Sequence, residues 1–398
     1  MPKVLQINVT ANWGSTGKIA EQIGTLAEEA GWVSYMAYGR TCNPSRLRTF
    51  RVGSDLEVKV HYLINRFFDS EGLGSRWATR KLIRIIDEIE PDIIHLHNIH
   101  GHYLNYPMLV RHINKRGIPV VWTLHDAWII TGHCYLFGGT DCEKWKKECH
   151  HCPMAIKYGL DRSRQNFRRK KRLFTSLKQV ELVTVSNWLK NVIGESFMKD
   201  YPRRTIYNGI DLNVFQPRES DWKQRLGFDH HHIILGVATA WDERKGFQDY
   251  MKLSAILPPS YIIVLVGLTD DMIAHLPQNV VGMGKTKSQE DLAALYSIAD
   301  VVTSLSVSES MGMTPVEGMA CGTPAIVYDN TAQPELVTPE TGMTVKTGDV
   351  VAVKEAILEL CTKGKSNYSE ACRERAVTLY DKNRNYFQYV NLYCGLLQ

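Results

Sequence analysis

The 398-residue chain is expected to fold as an α/β protein with two doubly wound parallel-sheet domains. Three observations predict this. Short Val/Ile-rich runs alternate with helical patterns, and the alternation restarts after Pro217. The length, with 44% hydrophobic residues, also exceeds what one ordinary core accommodates.

The first series of strand-like runs is "KVLQINV", "VSYMAY", "DIIHLH", "PVVWTL" and "ELVTVS"; the second is "HIILGVAT", "YIIVLVGL", "NVVGMG", "DVVTSL" and "PAIVY". These runs are apolar nearly throughout, as expected of strands covered on both faces of a parallel sheet. Between the two series, "YNGIDLNVFQP" combines the Asn208-Gly209 turn with a stop at Pro217. The expected division is therefore a domain at 1–208, a hinge at 209–217 and a second domain at 218–378. The segment 379–398 carries aromatic and leucine residues at helical spacing and is expected to pack back on the first domain. Open α/β sheets bind ligands beyond the carboxyl ends of their strands, so a cleft between two such domains is the expected binding place.

Net charge decides little, and no nucleic-acid partner is expected. Forty-seven basic against 42 acidic residues leave +5, far below the charge of chains built to coat nucleic acid. The chain has no run of eighteen apolar residues, and its start lacks the features of a signal peptide, so the cytoplasm is the expected location. Nine cysteines without an export signal argue for free thiols or metal ligands over a disulfide framework.

The stretch "SESMGMTPVEGMACGTP", Ser308 to Pro324, carries the clearest chemistry. A serine-rich loop bearing Glu309 leads into a helix for which Thr314 is the expected N-cap, Pro315 the first residue and Glu317 the third. N–H groups around Gly312 to Thr314 then converge at a helix start, where an anion binds. Glu309 and Glu317, eight residues apart, would accept hydrogen bonds from hydroxyls on either side. The competing reading makes Glu317 a capping-box acid and Glu309 a solvated loop acid.

Other candidates are spread along the chain. In "NWGSTGK", Gly14 and Gly17 frame a helix start and would let a substrate or diphosphate approach the backbone, although the motif is neither a Walker A nor a G-x-G-x-x-G fingerprint. His125 in "TLHDAW" ends a strand on the side where such sheets bind ligands. His95, His97, His100 and His102 crowd "HLHNIHGH"; with no cysteine or carboxylate beside them they are read as packing residues of the core and acceptor side.

Cys134, Cys142, Cys149 and Cys152 fall in the loop 132–153, a soft ligand set suited to structural zinc, with His133, His150 and His151 as alternative ligands; free thiols or a redox pair are the competing reading. The run 162–172 holds seven basic residues. It is expected either to be a solvated face or to touch anionic lipid headgroups or a lipid diphosphate at the inner face of the membrane.

Glu-x7-Glu within "ESMGMTPVEGMACGTP", together with "NWGSTGK", "PDIIHLH", "TLHDAW", "VSNWL", "NGID" and "ERKGF", resembles the retaining family-four GT-B glycosyltransferases over nearly the whole chain, in particular bacterial polysaccharide and colanic-acid-type enzymes. The resemblance implies a GT-B fold and a hexosyltransferase that uses a nucleotide-sugar donor and a glycan or lipid-linked acceptor, with no metal or other cofactor in catalysis. It further implies that Glu309 contacts the donor sugar and Glu317 the ribose. Backbone amides near Met311, Gly312, Met313 and Thr314 would meet sugar and phosphates, Lys245 would stand beside the diphosphate, and His125 would lie near the anomeric centre. One departure is visible: the family's arginine five residues before that lysine is Ala240 here, and Arg244 is the available substitute. The alternatives are a GT-B-fold sugar-nucleotide epimerase, an NAD-dependent dehydrogenase, against which the missing G-x-G-x-x-G speaks, and a non-catalytic sugar-nucleotide sensor.

Overall fold

The computed structural model describes residues 1–137, 140, 142–155 and 160–398. The chain separates into two compact units: Met1–Ile206 joined by Tyr386–Gln398, and Tyr207–Asn385.

In the first unit the described strands are β1 (Lys3–Asn8), β2 (Val33–Tyr38), β3 (Arg48–Arg51), β4 (Ile93–Leu96), β5 (Val120–Leu124), β6 (Val180–Thr184) and β7 (Arg203–Thr205). They pair in parallel in the order β3-β2-β1-β4-β5-β6-β7, with Leu5 opposite Tyr35 on one side and Ile94 on the other. The helices are α1 (Gly14–Glu29), α2 (Asp55–Phe68), α3 (Arg76–Ile89), α4 (Tyr106–Arg116), α5 (Ser163–Phe174) and α6 (Asn187–Gly194). Val120–Leu124 and Ile93–Leu96 are buried at every position, which is why these strands are apolar except at His95 and Thr123, which bond each other, rather than alternating.

In the second unit the strands are β8 (His232–Val237), β9 (Tyr261–Val266), β10 (Val280–Met283), β11 (Val301–Ser304), β12 (Ala325–Tyr328) and β13 (Gly342–Val345), all parallel in the order β10-β9-β8-β11-β12-β13. Around them stand α7 (Trp222–Leu226), α8 (Phe247–Ser254), α9 (Asp270–Ile273), α10 (Gln289–Ile298), α11 (Met313–Ala320), α12 (Val350–Lys363) and α13 (Ser366–Tyr380). Helix α11 lies close on β11 because it presents Gly318 there: a Cβ at that position would come 2.7 Å from a Val302 methyl.

A last helix, α14 (Lys382–Leu396), sends Tyr386, Tyr389, Val390, Leu392 and Tyr393 into a first-unit core made by Val4, Ile23, Trp32, Ile93 and Val183. Residues 207–217 pack with the second unit, where Ile210 and Phe215 are buried.

Both sheets reverse strand order at their centre, at β1/β4 in one and β8/β11 in the other. Loops leaving the C-terminal ends of those strands diverge there, and doubly wound sheets place their ligands in the resulting crevice.

Candidate active site

In the second unit the switch point brings two of the expected residues into contact. Lys245 follows β8, Glu309 follows β11, and the Lys245 ammonium forms an ion pair with the Glu309 carboxylate. Lys245 closes a single 3₁₀ turn, Glu243–Lys245, whose N-cap is Asp242: the Asp242 Oδ1 accepts from the Lys245 N–H at 3.1 Å. The turn is pressed on the strand end. The Val307 N–H donates to the Arg244 carbonyl at 2.8 Å, and Gly246, at φ 72°, approaches the Leu305 carbonyl so closely that a Cβ would stand 2.1 Å from it.

Arg244 points elsewhere. Its guanidinium donates to Asp242 Oδ2 at 2.7 and 3.0 Å and is largely exposed, while Ala240 lies exposed on the same loop.

Helix α11 corrects one expectation. It begins at Met313, with Gly312 at φ 89° as the N-cap and no side-chain cap, so Thr314 and Pro315 are its second and third residues. Thr314 Oγ1 donates instead to the Val237 carbonyl at 3.3 Å. The physical reason is that a glycine in a backbone region closed to other residues breaks the chain direction by itself, and proline is tolerated anywhere in a first helical turn. Without a cap, the first N–H groups have no partner within the helix. Glu317 is not a capping-box residue either: Tyr296 OH donates to its Oε2 at 2.8 Å from α10. Met311 is buried and its sulfur accepts from the Asn208 N–H at 3.3 Å, so only its backbone faces the helix start.

In the first unit His125 directly follows β5 and is buried. A hydrogen-bond chain fixes its tautomer. Gln6 Nε2 donates to the Ala20 carbonyl at 2.8 Å, so Gln6 Oε1 must accept from His97 Nε2–H at 3.0 Å. His97 Nδ1 then accepts from His125 Nε2–H at 3.1 Å, leaving Nδ1 of His125 as an acceptor. Burial pushes the His125 pKa down to about 4 and that of His97 well below the usual range, so both rings are neutral near pH 7. His95 lies tilted against His97 with ring centroids 4.0 Å apart and bonds Tyr393 OH and Thr123 Oγ1, an internal packing role.

The two glycines of the first loop differ. Gly14 opens α1 at φ 65° with open space around it, whereas Gly17 is buried, and a Cβ there would meet Thr10 Oγ1 at 2.7 Å. Gly17 therefore serves the packing of α1 on the turn.

Beside His125 stands a titratable group that sequence reasoning missed. His100 Nε2 lies 2.9 Å from Asp126 Oδ2. Glu71 accepts from Tyr135 OH at 2.7 Å and Trp128 Nε1 at 3.0 Å, and Lys170 Nζ donates to the Trp128 carbonyl at 2.6 Å over that residue's ring. Burial opposes charge on His100, but Asp126 and Glu71 outweigh it and raise its pKa; burial drives Lys170 down to about 7. One signal was legible: at helical spacing Lys170 falls with Phe167, Leu173 and Phe174, the buried face of α5. The basic run 162–172 is thus not one solvated face. Lys170 is interior, and Arg164 and Arg168 hold Glu148.

Of the cysteines, Cys134 and Cys152 have their sulfurs 4.0 Å apart, and Cys149 Sγ accepts from the Gly132 N–H at 3.3 Å. His133 is engaged by Asp69 at 3.0 Å. Positions 138, 139 and 141 of this loop lie outside the described residues, and among the described residues no group of three or more His, Cys, Asp or Glu side chains has metal-holding geometry.

Two family models match the chain: Glycosyltransferase Family 4 over residues 37–214 and Glycosyl transferases group 1 over residues 218–378. A protein named as the colanic acid biosynthesis glycosyl transferase WcaC of Escherichia coli is 23% identical, covering 99% of this chain and 100% of that protein. The N-acetyl-alpha-D-glucosaminyl L-malate synthase of Bacillus anthracis is 25% identical over 80% of this chain and 78% of its own. Among solved structures, sucrose-phosphate synthase from Thermosynechococcus elongatus superposes with a TM-score of 0.74 at 18% identity, covering 100% of this chain and 99% of that one. Anabaena HepE in complex with UDP gives 0.70 at 16% identity, covering 99% and 100%.

Fold and family together define a glycosyltransferase. The chain belongs to the family-four, group 1 glycosyltransferases of the GT-B fold. The dehydrogenase and epimerase alternatives receive no support, since both family models and the relatives describe glycosyl transfer.

Proposed function

We propose that this enzyme moves a hexosyl group, with retention, from a nucleotide-sugar donor to a glycan or lipid-linked glycan acceptor in cell-surface polysaccharide synthesis, at the cytoplasmic face of the membrane. The observation that carries this reading is the Lys245–Glu309 pair beside the uncapped start of α11, with Glu317 one turn into that helix.

In this reading the amides of Gly312, Met313 and Thr314 take donor oxygens, Glu317 accepts from ribose hydroxyls, and Glu309 accepts from a sugar hydroxyl. Lys245 supplies positive charge to the departing diphosphate, with Arg244 as a second cation once it leaves Asp242. In the first unit, Gly14 exposes backbone to a substrate, and neutral His125 accepts a hydrogen bond from a hydroxyl at Nδ1. The bond from the anomeric carbon to the diphosphate oxygen breaks as the acceptor oxygen bonds to that carbon on the same face, and the acceptor's proton passes to the diphosphate. These side chains position groups and balance charge; none is asked to act as a base.

The experiment is a panel of nucleotide sugars in thermal shift and donor hydrolysis. A saturating donor at about 100 times its Kd should stabilise the fold by about 2.7 kcal/mol. A panel without any shift, with Glu309→Gln and Glu317→Gln indistinguishable from the parent, overturns the reading.

Structural zinc in the loop 132–153 is proposed on one observation: the 4.0 Å Cys134–Cys152 separation is near the ~3.8 Å edge of a tetrahedron with Zn–S bonds of about 2.3 Å. Cys142 and Cys149 would complete the set. Elemental analysis of protein purified without chelator tests it; a preparation with well below half an equivalent of zinc sets the metal aside in favour of free thiols.

A further inference from the structure

Among the described residues Thr331 is the only β-branched side chain at positive φ, 49°. A branched Cβ crowds the backbone there, so such a residue persists only where its surroundings fix it. The turn that carries Thr331 follows β12 and lies against the loop that carries Glu309. Thr331 Oγ1 accepts from the Glu309 N–H at 2.9 Å, and the Ala332 N–H donates to the Glu309 carbonyl at 3.3 Å. Both backbone groups of Glu309 are thereby held by consecutive residues of one turn.

The hydroxyl is itself oriented, by a chain of bonds whose directions are fixed. The Ser306 carbonyl can only accept, so the Asn330 atom facing it at 3.4 Å is Nδ2, which also donates to Thr347 Oγ1 at 2.8 Å. Asn330 Oδ1 therefore accepts from the Thr331 hydroxyl at 3.1 Å. Thr347, just beyond β13, donates in turn to Asp329 Oδ1, from Oγ1 at 2.9 Å and from its N–H at 2.8 Å. With its single proton committed to Asn330, Thr331 Oγ1 keeps a lone pair for the Glu309 N–H. Beside this chain Gln333 is fully buried: its Nε2 donates to the Ser306 carbonyl at 2.6 Å, and its Oε1 accepts from Ser304 Oγ at 2.6 Å. The loop from the end of β11 to Glu309 is thus tied to the turn after the neighbouring strand.

We propose that Thr331 is a positioning residue of the donor site, whose hydroxyl sets the Glu309 carboxylate where it meets a hydroxyl of the donor sugar. The proposal rests on the donor reading given above. Glu309 lies at the start of α11, its Cγ 3.8 Å from the place of a Gly312 Cβ, and its carboxylate pairs with Lys245. It stands in neither a helix nor a strand, so no ladder of backbone bonds fixes it. A carboxylate on such a residue meets one particular hydroxyl only if its own N–H and C=O are clamped from outside. A strained residue spent on that clamp, at the end of a central strand, fits the pattern of strain retained for function. Packing alone does not call for it: glycine would take this φ freely, yet it has no hydroxyl to offer the Glu309 N–H.

The test uses the full chain, the nucleotide sugar that the parent binds best in the panel, and the free nucleoside diphosphate of the same base. Thr331→Val keeps size and branching but loses the hydroxyl. Its Kd for the nucleotide sugar should rise about fivefold, as loss of one well-placed hydrogen bond does, while its Kd for the bare diphosphate should rise less than about twofold. Thr331→Ser keeps the hydroxyl and should stay within about twofold of the parent for both ligands. Thr331→Gly relieves the backbone and keeps the test available should the valine variant not fold; its loss for the nucleotide sugar should match that of valine. A merely structural role predicts another order, with the glycine variant healthy and both ligands weakened together wherever the fold suffers. Valine and glycine variants that bind the nucleotide sugar like the parent, equal weakening of both ligands, or a serine variant as impaired as the valine one would each overturn the proposal. A parent that binds no nucleotide sugar of the panel overturns the donor reading itself, and the proposal with it.

Discussion

Lys245 and Glu309, 64 residues apart in the chain, are joined by an ion pair across the C-terminal edge of the second sheet. Each comes from a loop after one of the two central strands, so the pair marks the point at which the strand order reverses. A carboxylate held this way keeps its cation in place, and in the proposed reading an arriving diphosphate need only share it.

Lys245→Ala should raise the barrier to transfer by about 2–4 kcal/mol, the cost of losing one donor aimed at developing negative charge. Stability should fall by no more than about 1 kcal/mol, because the pair is partly exposed to solvent. Single-turnover kinetics alongside urea unfolding separates the two effects, and unchanged turnover removes Lys245 from the site.

Tyr296→Phe deletes the hydroxyl that donates to Glu317 at 2.8 Å. The fold should lose about 0.5–1.5 kcal/mol, typical of one intramolecular hydrogen bond. If that bond orients Glu317 toward the donor, KM for the nucleotide sugar should rise while kcat changes little. Steady-state kinetics with donor varied checks this.

Gly246→Ala should destabilise the second unit. The residue sits at φ 72° with a would-be Cβ 2.1 Å from the Leu305 carbonyl, so strain and clash together should cost about 2 kcal/mol or more. A chemical denaturation series should register the loss, and the 3₁₀ turn bearing Lys245 should shift with it, lowering turnover as well.

The pH dependence of stability has a definite sign. His61 and His125 have folded pKa values pushed down to about 4 by burial, against an unfolded value near 6.5. Between those values the unfolded chain binds more protons, so stability should fall as pH drops from about 6.5 toward 4. His100, raised by Asp126 and Glu71, and His133, raised by Asp69, work the other way. Their contribution is full below the unfolded pKa and fades as pH rises through the folded one. Urea midpoints measured across this window should decline on acidification, with a shallower slope in His61→Gln; a flat profile in the parent contradicts the buried neutral rings.

The strands and their parallel character were legible because burial on both faces leaves runs such as Tyr261–Val266 with no polar alternation to mistake for anything else. Glu309 and Lys245 were legible because loops at strand ends keep short motifs together. The start of α11 was misread: Thr-Pro is a strong local signal, and only the backbone angles at Gly312 reveal that the chain had already turned. The Glu71–His100–Asp126–Lys170 group draws on four separate segments, and nothing linear joins them. Helix α2 is the harder case. Leu56, Val60, Leu63 and Phe67 are exposed on it at the same periodicity that marks a core-facing helix, and sequence does not say which way such a stripe points.

The hydrogen bond from Tyr393 OH to His95 spans 298 residues, and the aromatic side chains of α14 sit in a core otherwise built before position 207. On the ribosome, the first-made sheet must therefore wait, with that hollow unfilled, until the whole second sheet has been synthesised. Such a nascent chain exposes Trp32 and its neighbours for most of its translation time, and the enzyme's early life should depend on chaperones more than its finished form does.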